Sequence, residues 1–410
     1  MRPIQIPTAP TTLLKGIVTL QAHRPNGELI HEEVKENLIT NMGLAGIDGV
    51  ELGDEMLSTC ILGRDGTAAQ ESDGFFAGSF IDSLANFVCP QDLAGDSYCP
   101  VPQDRSIVAR STDNGGTADV YAQNAGEKYW SLTRKRVFEY HTDYFLAAAS
   151  GVSATSCMEG RQFADWVADG WTQLPTEASY IKEIGFTSGT IAIQKPTQAC
   201  PPVDPDPIFK PHWANHPDYS GVLWNRVVMD QSVGYPSASP WATPDVELAL
   251  DAIITVTMEL RAYYSTDTIT QVMDINGIST TVRTRVLNIN FSGIWAEGFL
   301  RKMGNWGKTG KNRIGESNVL PAPTSYYFAD GGSAKLNSGK ISSVGGVMTR
   351  RLTASTSQGN WVGGIGGLCH GQFTNNSEYE CYCTVFNPKV VKTSFDEAYF
   401  DVQYTWGPKI

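Results

Sequence analysis

The chain has 410 residues and a formal net charge of −12, from 31 Lys and Arg against 43 Asp and Glu, with 40 Gly, 22 Pro and only 18% charged residues. That length excludes a minimal fold held by staples and allows two or three domains. The acidic balance disfavours nucleic-acid binding, which rests on Lys and Arg neutralising phosphates, and the many turn formers describe a mainly β protein with few, short helices.

In chain order, a Pro- and Thr-rich lead precedes "GIVTLQAHRPNGELIHEEV", two strand-like runs around the turn formers Pro25-Asn26-Gly27, a hairpin signal. Prolines 3, 7 and 10 and Lys15 break any apolar core of a secretion signal, and no run reaches the roughly 18–20 apolar residues that cross a bilayer, so a cytosolic origin without a membrane span is expected. In "ENLITNMGLAGIDGV", Leu38, Ile39, Met42 and Ala45 recur at helical spacing, and a short helix capped by Asn37 is predicted. "CILGRDGTAAQESD" runs from an apolar strand into a polar loop carrying Glu71 and Asp73, whose carboxylates read as solvated.

Residues 77–127 lack a sustained period and are predicted to be an irregular insertion. Trp130, Leu132, Arg134, Arg136 and Phe138 then share one parity, the pattern of a partly covered strand. A helix is predicted around "MEGRQFADWVADGW", where Phe163, Trp166, Val167 and Trp171 lie about one turn apart, followed by a strand at "YIKEIGF". The prolines of 198–219 forbid helix interior and central strand, which makes a second insertion. Within it His212 and His216 stand at i, i+4, a metal-pair spacing on a helix, but Pro211 and Pro217 bracket them and Asp204, Asp206 and Asp218 fix no third ligand.

A long strand is predicted at 251–267, with Ile254, Val256, Met258, Leu260, Ala262 and Tyr264 on one face. Asn276-Gly277 is a hairpin turn between "TQVMDI" and "STTVRTRV". Further on, "RKMGNWGKTGKNR" (301–313) sets five cations around Trp306, read either as contact with an acidic surface or as a solvated loop. "GGIGG" (363–367) lacks the Lys and hydroxyl of a phosphate loop. Eight cysteines without repeated spacing suit free buried thiols; Cys369-His370 with Cys381 and Cys383 is the nearest approach to a ligand set, although a hairpin explains the same spacing.

The chain closes on "SFDEAYFDVQYTWGPKI", in which Ala398, Phe400, Val402, Tyr404 and Trp406 alternate with Tyr399, Asp401, Gln403 and Thr405. Burying its four large side chains contributes roughly 6–12 kcal/mol, against roughly 9–18 kcal/mol to order nine residues of backbone. Such a strand needs a hydrogen-bonded partner. A long alternating strand near the end of each half suggests two β-sandwich-like domains, 1–275 with insertions at 77–127 and 198–219, and 276–410. No nucleophile elbow, zinc-protease motif or local Ser/His/Asp pattern is present in the sequence, so no catalytic, cofactor-binding or metal-ligating residue is assigned and no enzyme is expected.

Seven segments carry a resemblance by their order: "ENLITNMGLAGI", "CILGRDGTAAQESD", "YWSLTRKRVFEY", "IKEIGF", "VLWNRVVMD", "LDAIITVTMELRAYY" and "FNPKVVKTSFDEAYFDVQYTWGPK". The set resembles tailed-bacteriophage virion proteins of the tail and tail-fibre type. Trp224-Asn225-Arg226 stands where that group has Phe-Ser-Arg, and Tyr404-Thr405-Trp406-Gly407 continues into Pro408 instead of a basic residue. The resemblance implies a structural component of a tailed phage particle, in the tail, fibre base or baseplate region, assembled in the host cytoplasm as a homo-oligomer in contact with other virion proteins. Its alternatives are a receptor- or glycan-binding protein, with Trp171, Trp213, Trp241, Trp306 and Trp361 as stacking candidates, and, less favoured, a polysaccharide-degrading enzyme.

Overall fold

A computed structural model describes residues 3–6, 11–47, 57, 59–63, 66, 68–72, 87–88, 101–102, 107–111, 114–139, 180–187, 223–234, 244–249, 252–287, 312–324, 333–344, 346–372 and 380–409. The strands are β1 (Ile4–Gln5), β2 (Thr12–His23), β3 (Leu29–Ile39), β4 (Thr59–Gly63), β5 (Phe87–Val88), β6 (Val101–Pro102), β7 (Ile107–Ser111), β8 (Val120–Asn124), β9 (Tyr129–Glu139), β10 (Tyr180–Thr187) and β11 (Leu223–Gly234). They continue as β12 (Val246–Glu247), β13 (Ile253–Tyr263), β14 (Ile269–Ile275), β15 (Ile278–Val286), β16 (Arg313–Gly315), β17 (Ser333–Lys335), β18 (Asn337–Val344), β19 (Val347–Ala354), β20 (Ile365–Gln372), β21 (Glu380–Val390) and β22 (Ala398–Pro408). One helix, α1 (Asn41–Gly46), is present among the described residues, where no helix is long and apolar enough to cross a membrane. The protein is mainly β, as its composition indicates.

Fourteen strands form one sheet and six another. In the larger sheet β9, β13, β2 and β3 are neighbours, followed by β11, β10, β4 and β7, and β7 comes round to lie against β9. The parity read from sequence fixes its inner face. Ile254, Val256, Met258, Leu260 and Ala262 of β13 stand opposite Phe138, Arg136, Arg134, Leu132 and Trp130 of β9 and opposite Ala22, Leu20, Val18, Gly16 and Leu14 of β2, and nearly all are buried. Gly16 is glycine because the Asn37 side chain crosses over it; a Cβ there would sit 1.8 Å from Asn37 Oδ1. Arg134 is buried in this row and is satisfied by Asp119, to which its Nε donates at 3.0 Å.

Three expectations are corrected. Asn37 is not a helix cap: β3 runs through Ile39, because Leu38 and Ile39 pair with Arg226 and Asn225 of β11, and Thr40 caps α1 instead, its Oγ1 accepting from Gly43 N at 2.9 Å. The segment 77–127 is not irregular throughout, since β7 pairs β4 and β8 pairs β9. "GGIGG" is not a loop throughout: after a turn ending at Gly364, residues 365–367 belong to β20. Gly366 is needed there because a Cβ would meet the backbone of Glu316 at 2.2 Å.

The 275/276 boundary falls in the turn of the β14–β15 hairpin, where Asn276 and Gly277 both have positive φ, as a two-residue turn requires. Strands from both sides of it share the larger sheet, because β22 lies between β19 and the N-terminal strands β1 and β2. The smaller sheet runs β14-β15-β21-β20-β16-β17. Tyr382, Thr384 and Phe386 of β21 face the larger sheet, with the Phe386 ring 5.9 Å from that of Phe400 and the Tyr382 ring 5.8 Å from that of Tyr404 on β22; Cys383 and Val385 point the other way, onto Leu287 and Cys369. The predicted helix near 158–171 and the insertion 198–219 lie outside the described residues.

Candidate functional site

β22 has found its partners within the chain. It pairs antiparallel with β19 along residues 398–405, and on its other edge Phe400 and Asp401 meet β1 while Trp406–Pro408 meet β2. Phe400, Val402, Tyr404 and Trp406 are all buried, as their alternation predicts. Asp401, on the opposite face, receives both Nε and Nη2 of Arg351 at 2.7 and 2.8 Å and Gln5 Nε2 at 2.9 Å, which ties three strands together. Trp406 Nε1 donates to Leu44 O at 2.9 Å and so holds α1 against the strand end. Both edges of β22 are thus engaged by strands of the same chain.

Between the sheets lies a buried polar chain. Tyr404 OH is 3.0 Å from His370 Nδ1, His370 Nε2 is 3.4 Å from Thr384 Oγ1, and Thr384 Oγ1 is 2.9 Å from Thr284 Oγ1. The His370 ring stacks on Tyr382, centroids 5.5 Å apart. Burial pushes the His370 imidazole down to about 3, so it is neutral in the folded protein at all ordinary pH. In the unfolded chain it titrates near 6.5. Its neutral form therefore contributes stability that is complete above about pH 6.5 and is lost as pH falls toward 3, at about 1.4 kcal/mol per unit. A His370→Gln variant is expected to show a shallower fall of unfolding free energy than the parent between pH 6.5 and 3.5; equal slopes in paired denaturation curves would refute this role.

The nearest ligand set in the sequence is not brought together. Cys369 and Cys383 face each other across β20 and β21 as buried thiols, whereas His370 points to the opposite face, toward Tyr404. Among the described residues no cluster of His, Cys, Asp and Glu has metal-binding geometry. Cys60 is a further free thiol on the inner face, where burial pushes its pKa up and keeps it unreactive. The Cys381 side chain, His212, His216, Asp204, Asp206, Asp218, residues 301–311, and Trp171, Trp213, Trp241 and Trp306 lie outside the described residues. Trp361 is half-buried against the core, at a turn from residue 355 to 364 that Lys392 stitches to the loop 391–397, its Nζ donating to Asn360 Oδ1 at 2.7 Å and Thr356 O at 3.3 Å. On these two loops Val362, Val391 and Phe395 are exposed, Phe395 at 92%.

Sheet edges are where the molecule has unfinished hydrogen bonding, and they differ in how they are protected. Outer strands are normally blunted by Lys, Pro, a bulge or shortness. β18 carries Lys340 and a bulge at Ile341, β17 has three residues, β8 has five, and β7 is tucked against β9. β14, "ITQVMDI", has seven residues in unbroken register with β15, no Pro, no Lys and no Gly, and a single charged side chain, Asp274. Among the described residues nothing pairs with its other edge. Counting back from the closing pair Ile275–Ile278, the backbone N–H and C=O groups of Thr270, Val272 and Asp274 point away from β15. Those three residues are exposed, Val272 at 69%, while Ile275 is buried at the turn. An open cleft of about 500 Å³, lined by Pro3, Ile4, Gln5 and Met273–Gly277, adjoins the C-terminal end of the strand. This arrangement can add a strand from another chain. The sequence shows the strand and its turn, but its edge position follows only from pairing between distant segments.

No protein-family model, curated protein or solved structure matches the chain.

Proposed function

We propose that the chain is a structural subunit of a tailed-bacteriophage particle, in its tail, fibre base or baseplate region, working through contacts with other virion proteins and with copies of itself and not through catalysis. The observation that carries this reading is the outer edge of β14, which no strand pairs among the described residues: an exposed seven-residue strand edge invites pairing, and an assembly subunit uses that invitation. The ordered set of segments resembling phage tail and fibre proteins supports it, as does a β framework whose last strand is locked internally, leaving other edges for neighbours. Antibody labelling of purified particles tests it: the chain is expected at fixed positions on every particle, and unlabelled, chain-free virions would overturn it.

A second reading has one observation in its favour. The stitched loops 355–364 and 391–397 present Phe395, Val362 and half-buried Trp361, an apolar and aromatic surface of the kind that stacks on sugars of a host receptor. On this reading free protein competes with phage adsorption and Phe395→Ala abolishes the competition; unimpaired competition by the variant would remove the loops from consideration.

A further inference from the structure

We propose that β14 pairs with β14 of a second copy of the chain, antiparallel about a two-fold axis through Val272, joining two six-stranded sheets into one. The inference rests on the assembly reading and names its partner and register. The edge is self-complementary in that register. Val272 meets Val272 of the second copy at the axis, so the exposed apolar side chains cover each other. Thr270 meets the second copy's Asp274 on either side, a hydroxyl donor opposite a carboxylate. Asp274 Oδ1 already accepts from Gly277 N at 2.8 Å, which leaves Oδ2 for that threonine. Residues 270, 272 and 274 are those whose backbone groups point outward, so all three pairs are hydrogen-bonded pairs, each exchanging two bonds. Shifting the register by two residues would set Val272 against Asp274 or Thr270 and place Met273 or Gln271 on the axis, so the two valines would no longer cover each other.

The surroundings admit this partner. An antiparallel second copy enters past the C-terminal end of β14 with its residues 265–269, and there the cleft between β1 and the hairpin tip leaves open space. An isologous pairing closes on itself, so it yields a dimer and not an open filament. It also removes the aggregation hazard of the bare edge, which accounts for the lack of Lys, Pro or bulge in β14.

The test uses the full chain and three variants. Sedimentation of the parent is expected to give a dimer, and Val272→Lys, which sets two ammonium groups against each other at an exposed position, a monomer with the parent's far-ultraviolet circular dichroism. Under mild oxidation Val272→Cys is expected to form a covalent dimer beyond the parent's background. Thr270→Cys, whose sulfurs would lie four residues apart in this register, is expected to form none. A dimer that survives Val272→Lys, equal cross-linking of the two cysteine variants, or a parent that stays monomeric at its highest soluble concentration would each overturn the pairing. A monomeric parent that is nonetheless incorporated in virions removes the pairing and leaves the structural role. A Val272-dependent dimer absent from virions removes the structural role and leaves the pairing.

Discussion

A chain ending at Glu397 is expected not to fold. β22 is an internal strand that joins the C-terminal hairpin β18–β19 to the N-terminal strands β1 and β2. Its loss removes Phe400, Val402, Tyr404 and Trp406 from the core, a contribution of roughly 6–12 kcal/mol, comparable to the whole stability of about 5–15 kcal/mol expected of a folded domain. It also strips β19 of one of its two partners and His370 of its Tyr404 hydrogen bond. The check is the soluble yield and far-ultraviolet circular dichroism of the truncated chain. Soluble protein with the parent's β signal would show that β22 is an accessory strand. Failure of such a truncation to enter particles would report unfolding, so point changes on β14 are the sharper probe of assembly.

Glu183→Ala is expected to cost about 3–5 kcal/mol, the second largest effect. Glu183 and Arg226 sit on neighbouring strands β10 and β11, with side chains 1% and 0% exposed, and Arg226 Nε donates to Glu183 Oε2 at 2.7 Å. Removing the carboxylate takes from a buried guanidinium the anion at 2.7 Å. The site is shaped around the pair: a Cβ on Gly63 of β4 would lie 2.4 Å from Glu183 Oε1. Replacing both partners by apolar residues, as in Glu183→Leu with Arg226→Met, is expected to recover most of the loss, because the desolvation penalty of both ions disappears together. Urea unfolding of the parent, the single and the double variant measures this. A single variant within 1 kcal/mol of the parent would mean that the guanidinium reaches water or another anion.

Period-2 alternation carried most of the strand assignments that proved right. Phe400 to Trp406, Ile254 to Ala262 and Trp130 to Phe138 are buried on the parity their sequence shows, since one face of a strand must exclude water whatever pairs beside it. The Asn276-Gly277 hairpin was legible because only such residues tolerate two successive positive φ angles. Leu38 and Ile39 misled because helical spacing to Met42 and Ala45 is also compatible with a strand ending one residue before a helix, and their partners on β11 lie nearly two hundred residues away. β8 was hidden because it is short and half-exposed on both faces, so it has no apolar rhythm to read. The candidate site shares this difficulty: Thr270, Val272 and Asp274 read as one face of a hairpin arm, but an edge is a property of the whole pairing order.

Quantitative mass spectrometry of the tailed-phage particles proposed to contain this chain is the most decisive measurement. A structural subunit working by surface contact is expected at a constant copy number, in a whole-number ratio to another virion protein. Absence from the particles, together with turnover of a defined substrate by the purified chain, would contradict it.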